Sequence, residues 1–176
     1  EETETHELIA QRGGGEFMIG LMHHTSLSVH REASRAIANL LTSFDNHMEI
    51  INSGIAGLVH LALSEDTECL YNAALAFRKL APNVESHYNL VDKGALQSLF
   101  YLTQCNDIKI QRQAATALRD LASNPEHRQR YAQEGGVNAL IKLARDDSLD
   151  LRTLAVASLR HLSQHKLIKK LIVQEG

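Results

Sequence analysis

Three arginines recur at intervals of 41 residues: Arg78, Arg119 and Arg160. The planar guanidinium group donates paired hydrogen bonds to carboxylates and phosphates, so a row of such groups could bind an anionic ligand. The same arginines could instead solvate a helix face and pair with Asp or Glu of the next repeat. From the sequence both interpretations stay open, and the choice between them depends on the elements that carry these residues.

Residues suited to catalysis or metal binding form no comparable pattern. The chain contains no G-x-x-x-x-G-K-[ST], no G-x-S-x-G and no H-E-x-x-H motif. Its ten histidines are scattered, and the adjacent His23 and His24 cannot share one helical face, so surface or capping roles are expected. The run Gly13–Gly15 is interpreted as a break between helices. We therefore predict no enzymatic activity, no cofactor and no metal site.

Amino-acid composition says more about the cellular compartment of the protein than about the class of its binding partner. The net charge of −3 favours no class of partner by itself. Cys69 and Cys105 are expected to be reduced, small hydrophobic residues, which favours a reducing compartment. No apolar run approaches the roughly 20 residues that a membrane span needs. We predict a cytoplasmic protein, with the nucleus, or a membrane surface reached through parts outside this chain, as the alternatives.

The arginine interval belongs to a period that runs through the whole chain. Two positions recur at steps of 40, 41 and 41 residues, one as Ala33, Ala73, Ala114 and Ala155, the other as Leu40, Leu80, Leu121 and Leu162. A further position has the same steps and is occupied by Met18, Leu58, Leu99 and Leu140. A fixed period of about 40 residues indicates an array of stacked helical repeats.

Each repeat is predicted to contain a short first helix, a second helix and a longer third helix. A glycine after the first helix would permit a turn with positive φ. Pro82 and Pro125 would lie between repeats, where a missing backbone N–H costs least. The boundaries are predicted near Asp45, Val84 and Pro125. This gives repeats over about 5–44, 45–83, 84–124 and 125–165, and the first helix of a fifth over 166–176.

The third helices follow the pattern A-x-x-A-h-x-x-L, read as ASRAIANL, AALAFRKL, AATALRDL and, with Ser158 for the second alanine, AVASLRHL. A glycine precedes each second helix, at Gly14, Gly54, Gly94 and Gly135. These features resemble the armadillo repeat over nearly the whole chain. HEAT repeats, which normally use two helices without a glycine-broken first one, are the alternative. The resemblance implies an all-α fold, an armadillo-type right-handed α-solenoid (superhelix) of stacked three-helix repeats.

The resemblance also implies that the third helices line a concave groove that binds extended peptides or partner proteins. In peptide-binding armadillo proteins, an asparagine ladder on the third helix grips the peptide backbone. Here the ladder position holds Asn39, Lys79, Asp120 and His161, so only Asn39 matches. The tryptophan of nuclear-import adaptors, one helical turn earlier, is replaced by Arg35, Leu75, Thr116 and Ala157. We therefore do not expect this chain to bind a basic nuclear-localisation peptide in that manner.

In place of an asparagine ladder, the third helices carry an excess of basic residues. The third helices, taken as residues 28–43, 69–80, 109–121 and 151–162, contain nine bases and two acids, a net +7, and the rest of the chain carries −10. Acidic pairs such as Glu65-Asp66 lie in the preceding turns and are interpreted as helix caps. The residues predicted to line the ligand-binding groove are Arg35, Asn39, Tyr71, Arg78, Lys79, Arg112, Arg119, Asp120, Arg160 and His161.

Three functional hypotheses follow. The preferred one is a scaffold for protein–protein interaction that binds an acidic, extended partner segment in the basic groove. The second is a nucleic-acid or anionic-lipid binder using the same charge, although only Tyr71 could stack on a base there. The third is a purely architectural segment of a larger protein. Affinity for an acidic peptide against that for an oligonucleotide, compared across salt concentrations, separates them.

The chain is also expected to be a fragment of a longer solenoid. The segment KLIKKLIVQEG matches the first helix of a repeat, and its apolar positions include Leu167 and Leu171. Arrays normally finish with a polar-faced cap, and neither end of this sequence has one. This predicts end-to-end self-association, reduced by Leu167→Glu combined with Leu171→Glu.

Overall fold

A computed structural model of the protein describes residues 14–43 and 46–175, and no strand occurs in those two ranges. The predicted all-α fold is confirmed. Two short irregular helical turns also occur, a π-helical turn over Ile50–Gly54 and a 3₁₀ turn over Pro125–His127. The α-helices, numbered in chain order, are α1 Gly14–Leu21, α2 Leu27–Leu40, α3 His47–Glu49, α4 Ile55–Leu61, α5 Thr67–Leu80, α6 Val84–Asp92, α7 Ala95–Leu102, α8 Ile108–Ser123, α9 Arg128–Gln133, α10 Gly136–Ala144, α11 Leu149–Leu162 and α12 Lys166–Glu175.

The third helices of successive repeats, α2, α5, α8 and α11, stack side by side, and α8 packs most extensively against α5 and α11. The recurring alanines explain the close approach, because Ala73, Ala114 and Ala155 are completely buried and carry the smallest possible β-carbon side chain. The recurring leucines at the ends of these helices are also buried. No repeat could bury these faces alone, which is why the units stack into an array.

Side-chain caps determine where three of the third helices begin. Asp66 precedes α5, Asp107 precedes α8 and Ser148 precedes α11, and each accepts a hydrogen bond from a backbone N–H of the first turn. Such caps satisfy backbone donors that the helix itself leaves unpaired. The caps therefore set the register that places the charged residues of each third helix at equivalent positions.

The glycine before the second helix has two structural roles rather than the single one predicted. Gly94 and Gly135 have φ of 87° and 85°, and each separates a first from a second helix. Gly54 instead has φ of −94° within a continuous helical path from His47 to Leu61, so the predicted break there is wrong. A β-carbon on Gly54 would lie 3.0 Å from Ile50 and 3.2 Å from Ile19, so close packing explains this glycine. Gly14 is the first residue of α1.

Buried polar side chains connect the second and third repeats to the preceding third helix. His47 and His87 donate from Nε2 to the carbonyls of Leu41 and Ala81, at 3.1 and 2.6 Å. The neighbouring residues Asn46 and Ser86 bond in the same way to Leu40 and Leu80, both at 2.7 Å. These carbonyls end α2 and α5 and have no partner within the helix. Two of the histidines treated as scattered are therefore periodic caps.

Several predictions fall on residues outside the described ranges. These are the helix before Arg12, the start of the glycine run at Gly13, the boundary near Asp45 and the final Gly176. At the other end, Leu167 of α12 is 68 % exposed and Leu171 is half-buried. Self-association through this end stays a prediction.

Candidate ligand-binding surface of the third helices

Charged side chains of the third helices form two edges. The N-terminal edge lies in the first two-thirds of these helices or just before their first residue, and consists of Arg31, Arg35, Asp66, Glu68, Arg112 and Asp150. The C-terminal edge lies near the helix ends, and consists of Arg78, Lys79, Arg119, Asp120, Arg160 and His161. The helix macrodipole favours acids near a helix start and bases near its end, which matches most of this distribution.

At the N-terminal edge, arginines of one repeat pair with acids of the next. Arg31 donates from Nε and Nη2 to Oδ2 of Asp66, at 3.0 and 2.6 Å. Arg35 pairs with Glu68 of the next repeat and, at 3.2 Å, with Glu32 of its own helix. These interactions connect α2 to the start of α5.

The same arrangement recurs between α8 and α11, where Arg112 pairs with Asp150 in the first turn of α11. Arg35 and Arg112 were both predicted to line the ligand-binding groove. Their guanidinium groups are engaged in ion pairs between repeats. A ligand at either residue would have to displace the partner carboxylate or bind beside it.

Asp66 combines an ion pair with a helix cap. Its Oδ1 accepts a hydrogen bond from the backbone N–H of Cys69 at 3.0 Å, so its predicted capping role is confirmed. The hydrogen bond from Arg31, together with those from Cys69, lowers the pKa of Asp66 to about 2, although partial burial opposes the shift. Asp66 is therefore a charged carboxylate held within the array at neutral pH.

The observed helix bounds correct the predicted charge balance. The ranges used in the sequence analysis began after Glu68 and after Asp150, whereas α5 and α11 contain these acids in their first turns. The four third helices thus carry nine bases and four acids, a net +5 rather than +7. Because Glu68 and Asp150 are the partners of Arg35 and Arg112, the remaining excess of positive charge lies mainly at the C-terminal edge.

The arginine row belongs to the C-terminal edge, and the described residues form no ion pair between repeats with it. Within residues 14–43 and 46–175, no carboxylate pairs with Arg78 or Arg160. The buried Nε of Arg78 has no hydrogen-bond partner in that part of the chain. Arg119 pairs with Asp120 of its own helix, with Nε and Nη2 at 2.9 and 2.7 Å from Oδ1. This row therefore retains donors for a ligand.

Lys79, although it belongs to the same edge, already has partners in the preceding repeat. Its Nζ donates to the backbone carbonyl of Ala38 at 2.6 Å and to Oγ1 of Thr42 at 2.8 Å. Burial, with a smaller contribution from the positive charge of Arg78, lowers the pKa of Lys79. Its ammonium group thus connects the end of α5 to the end of α2 and is less available to a ligand.

His161 lies among positive charges at the end of α11. Its Nε2 is 3.4 Å from Nη2 of Arg160, and since an arginine nitrogen only donates, the imidazole accepts and is neutral. Burial, followed by the charges of Arg160, Arg128 and Arg119, lowers the pKa of His161, whereas Asp120 opposes the shift. The lowered pKa agrees with a neutral ring at pH 7.

Arg128 joins this group, and the sequence analysis did not find it. It begins α9 and donates from Nη2 to the carbonyl of Ser123, at the end of α8, at 3.3 Å. The equivalent residue 41 positions earlier is His87, so the repeat pattern gave no signal for an arginine here. Its position became apparent only from the packing of α9 against the end of α8.

Asn39 and Tyr71 complete the set of predicted groove residues. Asn39 is exposed near the end of α2, and Tyr71 is half-buried on α5, where it packs against the hydrophobic core. Tyr71 therefore presents only part of its ring to a ligand. No side-chain hydrogen bond to either residue occurs among those identified in the described ranges.

Other chemistry has little support on this surface. Across the described part of the chain, no three His, Cys, Asp or Glu side chains are arranged to hold a metal ion. Both cysteines are free thiols, and burial raises the pKa of Cys69 to about 11, which disfavours a reactive thiolate. Among those same residues, no helix is both long and apolar enough to cross a bilayer.

Comparison with solved structures places this architecture among known repeat proteins. A computationally designed armadillo repeat protein for modular peptide recognition aligns with a TM-score of 0.92 and 25 % identity, over 98 % of this chain and 75 % of that one. An engineered protein aligns with a TM-score of 0.89 and 30 % identity, over 99 % and 72 %. A designed armadillo repeat protein in complex with the peptide (KR)4 gives 0.83 and 26 %, over 91 % and 69 %. No protein-family model and no curated protein sequence matches the chain.

Proposed function

Because the chain belongs to the armadillo-repeat proteins, we propose that it is a non-catalytic scaffold that binds an extended, acidic protein segment in the groove lined by α2, α5, α8 and α11. Two of the similar structures support peptide binding as the general mode. One was designed for modular peptide recognition, and another is in complex with (KR)4. The proposal transfers that mode to this chain and assigns the opposite charge to its ligand.

The C-terminal edge is the observation that carries this assignment. Arg78, Arg119 and Arg160 recur once in each of three repeats, and neither Arg78 nor Arg160 is neutralised by a carboxylate of the described residues. A row of guanidinium groups on stacked helices is suited to several carboxylates along one extended chain. A basic peptide such as (KR)4 would instead be repelled by this row.

Affinity would come from several contacts acting together. One exposed ion pair contributes only a few tenths to about 1 kcal/mol, so no single arginine suffices. Within the proposal, Asn39 and the exposed part of Tyr71 contribute polar and apolar contacts. Arg35 and Arg112 contribute only where the ligand can compete with Glu68 or Asp150 for them.

The same surface fits a nucleic acid less well. Glu68, Asp120 and Asp150 are interleaved with the arginines and would repel a continuous phosphate backbone. Aromatic residues for base stacking are also sparse along the third helices. A purely architectural role would require no ligand at all. A cytoplasmic location is part of the proposal and is supported by the two free thiols.

Binding measured by fluorescence anisotropy tests the proposal directly. The probes are a Glu-rich peptide, (KR)4 and a single-stranded oligonucleotide, each titrated at several salt concentrations. We expect the acidic peptide to bind most tightly, with an affinity that falls as salt rises. The variant Arg78→Glu with Arg119→Glu and Arg160→Glu should reduce that affinity at least about 30-fold, because each reversal adds repulsion to the loss of an ion pair.

Arg152→Glu is a control for a single charge reversal outside the row, because Arg152 is an exposed residue of α11 that lies more than two turns before His161. It should change affinity no more than about threefold. Unchanged binding by the triple variant would refute the groove assignment. Preferential binding of the oligonucleotide would favour the nucleic-acid hypothesis, and no binding of any probe would favour the architectural one.

A further inference from the structure

Three arginines and one histidine converge where α8 and α11 end, and they are called here the cation cluster: Arg119, Arg128, Arg160 and His161. Arg119 and Asp120 lie one helical turn before Ser123, whose carbonyl accepts from Arg128 at 3.3 Å. Arg160 and His161 lie in the last turn of α11, which packs directly against α8. Residues from three helices and two repeats thus meet at one place.

The charge of this cluster exceeds what its own acid neutralises. Among the described residues, Asp120 is the one carboxylate that pairs with the cluster, through Arg119 at 2.7 Å. This leaves a formal excess of two positive charges when His161 is neutral. Neither Arg128 nor Arg160 forms an ion pair with a carboxylate of residues 14–43 or 46–175. The Nε of Arg128 is buried and has no hydrogen-bond partner in those ranges.

Resting on the proposed function, we propose that the cation cluster binds a phosphorylated side chain of the partner segment. A phosphate ester carries about −1.5 to −2 charges at pH 7, which matches the excess, whereas a single carboxylate supplies only −1. The three phosphate oxygens can accept hydrogen bonds from several guanidinium groups at once. The guanidinium groups of two neighbouring third helices and of α9 can approach the phosphate from different sides.

The arrangement distinguishes this subsite from the rest of the groove. At the N-terminal edge, the equivalent excess is absent because Asp66 and Glu68 neutralise Arg31 and Arg35. Between α2 and α5, Lys79 is held by Ala38 and Thr42 instead of facing a ligand. A phosphorylated residue would therefore fix the position of the bound segment at the α8–α11 end.

A pair of peptides tests this inference. Both have the same short acidic sequence with one central serine, which is phosphorylated in only one of them, and binding is measured by isothermal titration calorimetry at about physiological salt. We expect the phosphorylated peptide to bind about tenfold more tightly, from the additional charge-assisted hydrogen bonds. Arg160→Gln should abolish this preference while the unphosphorylated peptide loses no more than about threefold.

Two further variants sharpen the outcome. Asp120→Asn removes the competing carboxylate and should increase the preference for the phosphorylated peptide, a gain that a misfolded protein cannot produce. Arg152→Gln removes the same charge from α11 as Arg160→Gln does, and should leave the preference unchanged. Circular dichroism of each variant verifies the helical fold.

The results separate the two proposals. Equal binding of both peptides, or a preference that persists in Arg160→Gln, would overturn the phosphate site while leaving the acidic-peptide function intact. No binding of either peptide would overturn both. An oligonucleotide or a vesicle containing phosphoinositides that binds as tightly as the phosphorylated peptide, with the same dependence on Arg160, would assign the cluster to another phosphate ligand and contradict the proposal.

Discussion

At the N-terminal edge, Arg31 reaches Asp66 of the next repeat at 2.6 Å, whereas at the C-terminal edge no carboxylate of the described ranges pairs with Arg78. Both residues are arginines on third helices and have the same formal charge. They differ in what the following repeat presents to them. The start of the next third helix supplies acids to the first edge, and its end supplies further bases to the second.

This difference follows from helix physics. Asp66, Glu68 and Asp150 lie at helix starts, where the macrodipole and capping favour acids. Arginines beside these starts find a partner in the next repeat, so their charge stabilises the stack. Bases at helix ends interact favourably with the dipole without any carboxylate, so they can remain open to a ligand. The N-terminal edge thus stabilises the stacking of repeats, whereas the C-terminal edge is left to bind a ligand.

The largest expected effect on cohesion comes from Asp66→Ala. It removes the cap on Cys69 and the acceptor for Arg31 together, and should lower the free energy of unfolding by about 1–2 kcal/mol in urea denaturation. Asp66→Asn is the matched control, since it retains a good cap and loses only the charge. Affinity for an acidic peptide should change little in either variant. If Asp66→Ala is as stable as the wild type, the N-terminal edge does not contribute to cohesion.

Lys79 is an exception within the C-terminal edge, and replacing it sharpens the comparison. Lys79→Ala removes hydrogen bonds to Ala38 and Thr42 and should cost about 1 kcal/mol of stability. Lys79→Met preserves the aliphatic stem and isolates the loss of the ammonium group. Peptide affinity should fall less than in Arg78→Met. A large loss of affinity without a loss of stability would show that Lys79 serves the ligand instead.

The fold was accessible from the sequence because it depends on a repeated pattern. The steps of 40 and 41 residues in alanine and leucine predicted stacked helices, and these residues are buried in the structure. Gly54 shows the limit of that reasoning. Its equivalence to Gly94 predicted a break, but the close approach of Gly54 to Ile19 involves the preceding repeat and carries no local signal.

The candidate site was accessible only in part. The arginine row and its acidic neighbours could be read from spacing, but which arginine has a partner depends on the stacking of the next repeat. Both Arg35 and Arg78 are arginines of third helices, and within the described ranges only Arg35 of the two pairs with an acid of the following third helix. Arg128 could not be found by equivalence, because it comes from a first helix and reaches the end of α8 through packing.

Acid titration tests how the charge of Asp66 at the N-terminal edge contributes to stability, and its expected effect is smaller. The pKa of Asp66 is about 2 in the folded protein and 3.8 without these interactions. A lowered pKa stabilises the fold most at pH values above about 4, and this contribution is lost as the pH falls through about 2. The stability difference between wild type and Asp66→Asn, below about 1 kcal/mol at pH 7, should therefore be much smaller at pH 2. A difference that is independent of pH would show that charge is not its source.

A weaker effect of pH on peptide affinity is expected at the C-terminal edge. Because the pKa of His161 is lowered, the ring gains its charge only below the usual range of histidine. A bound acidic peptide favours the charged ring, so affinity should rise slightly as the pH falls below the usual range of histidine, while the peptide carboxylates remain ionised. His161→Gln should abolish the rise. A rise of equal size in that variant would locate the titrating group elsewhere.

The most direct test removes the same number of positive charges from each edge in turn and compares the two variants. One variant combines Arg78→Gln, Arg119→Gln and Arg160→Gln, and the other combines Arg31→Gln, Arg35→Gln and Arg112→Gln. Each loses three positive charges, and measurement at about 0.15 M salt limits their long-range influence. Affinity for an acidic peptide and the thermal midpoint are measured for both.

We expect the first variant to lose at least about tenfold in affinity with its midpoint nearly unchanged. The second should retain affinity within about threefold while its midpoint falls by about 2–4 °C. Equal losses of affinity in the two variants would contradict the separation of cohesion from recognition.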